Sequence, residues 1–137
     1  MRQQPMNDLV KQTQMAINGE YSAIQCYEKL ARLAPTDEER QQILEIREDE
    51  IKHFKQLVLL YTGITGRDPK PKQTEPCEDD YLRGLEAALK DEQHTVDFYL
   101  SVADGTINLA AKKLFNRAAK DEQQHAVWFL YYYMKNK

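Results

Sequence analysis

Apolar side chains recur every three or four residues along four long stretches of this sequence, which is the period of an amphipathic helix. The stretches run from about Asn7 to Ala34, from Asp37 to Tyr61, from Glu78 to Ala103 and from Leu109 to the end of the sequence. Each is nearly free of Gly and Pro, and the strict alternation typical of strands does not occur. The pattern predicts an all-α protein built as a four-helix bundle.

The connections between these stretches differ in length, and this sets the predicted topology. "APTDEER" is short and offers Thr36 and Glu39 as a capping box, and "DGTIN" is a short turn, so each adjoining pair of helices should form an antiparallel hairpin. The middle connection, about residues 63–77, contains two Gly and three Pro, so the stretch "TGITGRDPKPKQTEPC" is predicted not to be helical. Fully extended at about 3.3 Å per residue it exceeds ~40 Å, enough to cross a 25-residue helix of ~38 Å. One long crossover between two hairpins is the ferritin-like connectivity.

The sequence also resembles itself at an offset of 72 residues, without a gap. The matching positions include acids, tyrosines and histidines, namely the pairs Glu20/Glu92, Tyr27/Tyr99, Asp49/Asp121, Glu50/Glu122 and His53/His125. The hairpins, about 7–62 and 78–134, are therefore interpreted as copies of one unit within a single domain of residues 1–137. A repeat kept only for packing has no need to preserve its acids and histidines.

Six of these repeated polar residues fall within the apolar faces of the predicted helices: Glu20, Glu50, His53, Glu92, Glu122 and His125. Buried carboxylates must be paired or bound to metal, and no Lys or Arg shares these faces near them. Glu from two helices with Glu-x-x-His from the other two is the ligand set of di-iron and di-manganese bundles. The sequence therefore predicts two metal ions, with iron favoured, manganese as the alternative and zinc as a substitute. Glu86 and His94 fall away from this face.

Four further residues are predicted to support the ligands. Asp49 and Asp121 each precede a histidine by four residues, so each is expected to accept the ring N–H of the histidine on its own helix. Tyr27 and Tyr99 lie two turns beyond the glutamates of their helices. They either fill the core or act at the site, as hydrogen-bond donors to a ligand carboxylate or as local electron donors.

Composition and charge exclude several classes of protein. A net charge of −3 gives no basic face for nucleic acid, no apolar run is long enough for a membrane span, and the polar start lacks a signal-peptide pattern. Cys26 and Cys77 form no C-x-x-C, so free thiols in a cytoplasmic protein are expected, with a Cys26–Cys77 disulfide as the less favoured alternative. "WFLYYY" at 128–133 is apolar all round its helix, which favours a homodimer interface over a wide end of the core.

This ligand set resembles the ferritin-like superfamily and, within it, the rubrerythrin-type (erythrin) diiron domain, over nearly the whole chain. The resemblance implies that Glu50 and Glu122 bridge two metal ions, that Glu20 and Glu92 cap them, and that His53 and His125 each supply one nitrogen ligand. Two features depart from that family. The sequence ends at Lys137 without the two C-x-x-C pairs of a rubredoxin domain, and Thr95 stands where rubrerythrins carry an extra helix-3 glutamate that is linked to ligand exchange.

The resemblance implies an oxidoreductase that reacts with peroxide or dioxygen, as a rubrerythrin-like peroxidase or ferroxidase. Without a rubredoxin domain, it would need an external electron donor such as a rubredoxin-like protein. Three alternatives remain at this point. They are iron sequestration or storage, disproportionation of peroxide as in manganese catalases, and a structural bundle whose metals only neutralise the core.

Overall fold

The computed structural model describes residues 6–137, with side chains from Asp8 onward. Four helices make up this part of the chain, and it contains no strand: α1 (Met6–Leu33), α2 (Asp37–Thr65), α3 (Tyr81–Gly105) and α4 (Leu109–Asn136). α1 packs mainly against α2, and α3 against α4, while the two hairpins meet along α1–α3 and α2–α4. The predicted all-α bundle of two hairpins is confirmed. No described helix is long and apolar enough to span a membrane.

The second helix is longer than predicted. It continues through Gly63 to Thr65 and is capped by Gly66, whose φ of 72° is left-handed and whose N–H donates to the carbonyl of Thr62 at 2.8 Å. The prediction that the segment from Thr62 to Cys77 contains no helix was wrong at its start. Gly63 lies near a solvated helix end and destabilises the helix too little to stop it. Gly66 ends the helix because, in the left-handed conformation, its N–H satisfies a carbonyl of the last turn. The crossover is correspondingly shorter and spans residues 66–80.

Thr36 caps α2, but only half of the predicted capping box forms. Its hydroxyl oxygen accepts the Glu39 N–H at 3.2 Å, and the same hydroxyl lies 2.7 Å from the Glu39 carboxylate, to which it donates. That carboxylate is buried and also accepts hydrogen bonds from Tyr81, Lys135 and Asn136. Glu39 therefore joins α2 to α3 and α4 at one end of the bundle instead of bonding to the Thr36 backbone.

The core consists of two apolar clusters separated along every helix by polar residues. One cluster includes Ile17, Leu57, Val102 and Phe115, and the other includes Leu30, Ile46, Leu85 and Phe129. On each helix the predicted metal ligands lie in sequence between the two clusters. Apolar packing on both sides therefore fixes the helices at the level of these polar side chains.

The crossover runs beside α1, in the same direction, and contacts residues about one turn apart on it. The contacting pairs are Gln14–Lys70, Asn18–Lys72, Ser22–Thr74, Cys26–Cys77 and Lys29–Asp79. Cys26 and Cys77 form a disulfide, with 5.0 Å between their Cα atoms. The expectation of free thiols was therefore wrong, and the less favoured alternative, the Cys26–Cys77 disulfide, is what the structure contains. The path of the crossover along α1 brings the two cysteines together, and local sequence carries no signal for that path.

Candidate dimetal site

The six predicted ligands come together at the centre of the bundle, and none of them is more than 2% exposed. They form two overlapping groups, each with its candidate ligand atoms within 4.8 Å of one another. One group is Glu20, Glu50, His53 and Glu122, and the other is Glu50, Glu92, Glu122 and His125. Because Glu50 and Glu122 belong to both groups, the arrangement can hold two cations side by side with two shared carboxylates.

Both histidines direct Nδ1 toward the carboxylates. Nδ1 of His53 lies 3.2 Å from Oε1 of Glu50 and 3.2 Å from Oε1 of Glu122. Nδ1 of His125 lies 3.0 Å from Oε2 of Glu92 and 3.3 Å from Oε1 of Glu122. Nδ1 is therefore the nitrogen available to a metal, and the opposite nitrogen, Nε2, is free to donate its proton elsewhere.

Each aspartate accepts the Nε2 proton of a histidine, but that histidine belongs to the other repeat. Nε2 of His53 lies 2.8 Å from Oδ2 of Asp121, and Nε2 of His125 lies 2.8 Å from Oδ2 of Asp49. The prediction that each aspartate pairs with the histidine on its own helix was wrong. α2 and α4 are antiparallel, so the histidine of each helix lies beside the aspartate that precedes the histidine of the other helix by four residues.

The tyrosines also lie at the site, and one of them crosses the repeat in the same way. The Tyr99 hydroxyl donates to Oε2 of Glu20 at 2.6 Å. Tyr27 is buried, its ring packs 5.1 Å from that of Phe129, and burial together with the nearby Glu92 carboxylate raises its pKa. Tyr99 thus orients a ligand as well as filling the core.

Burial and mutual repulsion dominate the electrostatics of the metal-free cluster. Burial, followed by the charge of Glu122, raises the pKa of Glu20, Glu50 and Glu92. Burial alone would also raise the pKa of Glu122, but the adjacent imidazoles of His125 and His53 lower it below its ordinary value. Burial opposes protonation of His125, yet its carboxylate partners raise its pKa to about 9. Without metal, the cluster therefore holds protons in place of cations.

Several buried atoms of this cluster lack a hydrogen-bond partner: Oε1 of Glu20, Oε1 of Glu50, Nδ1 of His53 and Oε1 of Glu122. Buried polar atoms are nearly always satisfied in native proteins, and among the described residues the ion-pair partners of the four glutamates are His53 and His125. The unsatisfied atoms are carboxylate oxygens and an imidazole nitrogen, which are ligands for iron, manganese or zinc. The residues present therefore fit a pair of divalent metal ions.

A cavity of about 250 Å³ lies between α1, α3 and the crossover and reaches the four glutamates. Its lining also includes Thr95, at the position where the resemblance leads one to expect an additional glutamate, and both cysteines of the disulfide. Sequence reasoning missed this cavity because it depends on where the crossover lies.

The remaining candidates lie away from the cluster. Glu86 is exposed on α3, where it lies 3.9 Å from Lys90, and His94 is exposed, as predicted. In the apolar segment of α4, Phe129 and Tyr132 are buried, whereas Leu130 and Tyr131 are 46% and 53% exposed. That segment therefore serves the core and also presents an apolar outer face.

Comparison with known proteins agrees with this geometry. The chain is 62% identical over 127 residues to the uncharacterized protein YhjR of Bacillus subtilis (strain 168), covering 93% of this chain and 88% of the relative. Among solved structures, it superposes with a TM-score of 0.79 on a hypothetical protein from Pyrococcus furiosus, at 22% identity, over 92% of this chain and 88% of the other.

A second solved structure is a two-domain protein from Anabaena variabilis ATCC 29413 that contains DJ-1/ThiJ/PfpI-like and ferritin-like domains. It matches with a TM-score of 0.77 at 16% identity, over 97% of this chain but 38% of that protein. At these identities, the solved structures support the fold alone. Residues 13–133 match the rubrerythrin family, and the chain therefore belongs to that family.

Proposed function

We propose that this chain is a dimetal-carboxylate redox protein that reacts with peroxide or dioxygen, as a rubrerythrin-like peroxidase or ferroxidase. The observation that carries the proposal is the pair of overlapping ligand groups that share Glu50 and Glu122. Membership of the rubrerythrin family supports the same reading.

Each residue has a distinct part in this proposal. Glu50 and Glu122 would hold both ions, while Glu20 with His53 and Glu92 with His125 would each complete one position. When bound, a redox-active metal pair supplies the electrons that cleave an O–O bond. Asp121 and Asp49 keep the proton of each histidine on Nε2, so that Nδ1 stays free to bind. The Tyr99 hydroxyl holds Glu20 in place and is a proton donor inside the site.

Iron is our first choice of metal and manganese the second, since carboxylate oxygen and imidazole nitrogen suit both. Zinc would occupy the same ligands without redox chemistry. For turnover with peroxide, we propose an external electron donor such as a rubredoxin-like protein. A homodimer through the exposed apolar residues of α4, Val127, Leu130, Tyr131 and Met134, is also part of the proposal.

The test begins with the metal content of protein from cells grown with both iron and manganese. The reduced, metal-loaded protein is then mixed with hydrogen peroxide in a stopped-flow spectrometer. We expect two redox metals per chain, as the two groups require, and fast oxidation in proportion to the peroxide added. Evolution of oxygen would instead indicate peroxide disproportionation. Metal that is inert to peroxide and to dioxygen would indicate storage or a structural role.

Two glutamates of α3 give a matched pair of variants. Glu92→Gln removes a carboxylate from the cluster, and Glu86→Gln removes an exposed one from the same helix. We expect Glu92→Gln to lose metal and peroxide reactivity, and Glu86→Gln to keep both. Equal behaviour of the two variants would contradict the assignment of the site.

A further inference from the structure

The Cys26–Cys77 disulfide lies in the wall of the cavity that reaches the metal ligands. Cys26 comes from α1 and Cys77 from the end of the crossover, and both line the cavity together with Glu20 and Glu92. The crossover residues 74–78, which include Cys77, also line the cavity. This part of the crossover is therefore a cover over one side of the metal site, and the disulfide fixes it to α1.

The other ties between the crossover and α1 are weak. Near the cavity, the Ser22 and Thr74 hydroxyls lie 3.3 Å apart, and two N–H groups of the crossover donate to α1, that of Lys72 to Asn18 and that of Thr74 to Ser22, each at 3.0 Å. All of these contacts are exposed to solvent, where water competes for the same groups. The Lys29–Asp79 ion pair beyond the cavity is also exposed at its acidic partner, and such pairs contribute little to stability. The disulfide is thus the strongest tie on the cover.

The cavity suits a cation. Its lining includes the exposed carboxylates Glu75, Glu78 and Asp91 as well as the buried glutamates, and among its described lining residues there is no Lys, Arg or His. A lining with one sign of charge concentrates ions of the opposite sign. Carboxylates therefore extend from the solvent-facing cover to the buried ligands, along the route that a divalent metal ion would take.

We propose that Cys26 and Cys77 are a redox modification site, here called the latch, whose disulfide controls the exchange of divalent metal ions between solvent and the buried cluster. This proposal rests on the proposed function, because it takes the cluster to be a metal site. In the disulfide form, the cover is fixed and bound metal is retained. In the dithiol form, residues 74–78 separate from α1 and metal ions enter or leave.

The Cys26–Cys77 pair is reduced by a dithiol and oxidised by hydrogen peroxide. A dithiol reductant opens the latch by thiol–disulfide exchange: the Cys26–Cys77 bond breaks, each sulfur gains a proton, and the reductant becomes a disulfide. Hydrogen peroxide closes it: the two thiols lose two protons and two electrons, the S–S bond forms, the O–O bond breaks, and two waters leave. Reducing conditions would then load the protein, and peroxide would seal it.

The experiment measures removal of Co²⁺ from loaded protein by an excess of chelator, before and after reduction by dithiothreitol, with thiols counted by mass spectrometry. We expect removal to be at least about tenfold faster after reduction, since a fraction of the stabilisation contributed by a disulfide shifts a local opening equilibrium by that factor. Cys26→Ser and Cys77→Ser should both exchange metal at the fast rate and be insensitive to the reductant. Lys29→Met, which removes a tie outside the cavity, should retain the slow rate and its response to reductant.

A metal-free measurement separates this proposal from the proposed function. Hydrogen exchange of the Lys72 and Thr74 amides in the apoprotein should become faster on reduction, whether or not metal binds. If hydrogen exchange of these amides accelerates on reduction but the protein binds no metal, the dimetal function is overturned, while redox control of the cover stands. If the protein binds metal but reduction changes neither metal removal nor amide exchange, the latch is overturned and the dimetal function stands.

Discussion

The hydrogen-bond partner of His53 Nε2 is Oδ2 of Asp121, 2.8 Å away in the other repeat; it is not Asp49, which lies on the same helix as His53. The equivalent contact joins His125 to Asp49, also at 2.8 Å. Tyr99 and Glu20 repeat this relationship between α3 and α1. Ligands of one half of the chain are thus held in place by side chains of the other half.

Asp121→Asn should therefore disturb the histidine of the other repeat. Losing the carboxylate that accepts the Nε2 proton should weaken metal binding about 10- to 100-fold. Nitrogen NMR of the apoprotein should show changed chemical shifts of the ring nitrogens at His53 and unchanged shifts at His125. The opposite pattern would restore the pairing along each helix. Asp104→Asn, at an exposed position of α3, is the control and should change neither signal.

Glu50→Gln should make the metal-free protein more stable while abolishing binding of the metal pair. Burial and the neighbouring carboxylates raise the pKa of Glu50. A raised pKa for an acid means that the ionised form destabilises the folded state once the pH exceeds its ordinary value. We expect a gain of about 1–3 kcal/mol at pH 7, measured by urea unfolding with chelator present. A loss of stability comparable to that of a core truncation would argue against this reading, and Glu86→Gln should leave stability unchanged.

Tyr99→Phe should affect both stability and the geometry of Glu20. The hydroxyl donates to that carboxylate at 2.6 Å in a fully buried setting. Removing the donor leaves a buried acceptor unsatisfied, at a cost of about 1–3 kcal/mol, so the variant should unfold at lower urea and bind metal more weakly. Tyr131→Phe removes an exposed hydroxyl from α4 and should match the unmodified protein. Equal stability of both variants would limit Tyr99 to filling space.

Glu39 should make the stability of the bundle depend on pH. Burial alone would raise the pKa of this carboxyl, but hydrogen bonds from Thr36, Asn136, Tyr81 and Lys135 lower it. Because the pKa is lowered on folding, the carboxylate stabilises the folded state at any pH above the ordinary glutamate pKa of about 4.3. This contribution is lost as the pH falls through the pKa of the folded state. Glu39→Gln should therefore cost about 1–2 kcal/mol at pH 7, with a smaller difference near pH 3.

Unfolding curves at several pH values would check this prediction. The control is Glu38→Gln at the exposed neighbouring position, which should show little difference at any pH. A difference for Glu39→Gln that stayed constant with pH would mean that the carboxylate charge is not what stabilises this end of the bundle.

The helices and the cluster were predictable because both depend on short spacings in the sequence. A period of 3.6 residues placed Glu20 and Glu92 among apolar neighbours, and the internal repeat separated them from exposed acids such as Glu86. The partners of Asp49 and Asp121 depend instead on the antiparallel register of α2 and α4. The disulfide joins residues 51 apart in the sequence, so it depends on the course of the crossover, which no local pattern encodes.

The exchange of supporting contacts between the repeats has a consequence for the history and the assembly of the chain. A single hairpin carries one half of the ligands and lacks the partners that orient them. Two copies related by a twofold axis would regain every pairing, as a homodimer whose site forms only above a threshold concentration. The crossover removes that threshold, because covalent linkage keeps each half at a high effective concentration near the other even when the protein is dilute.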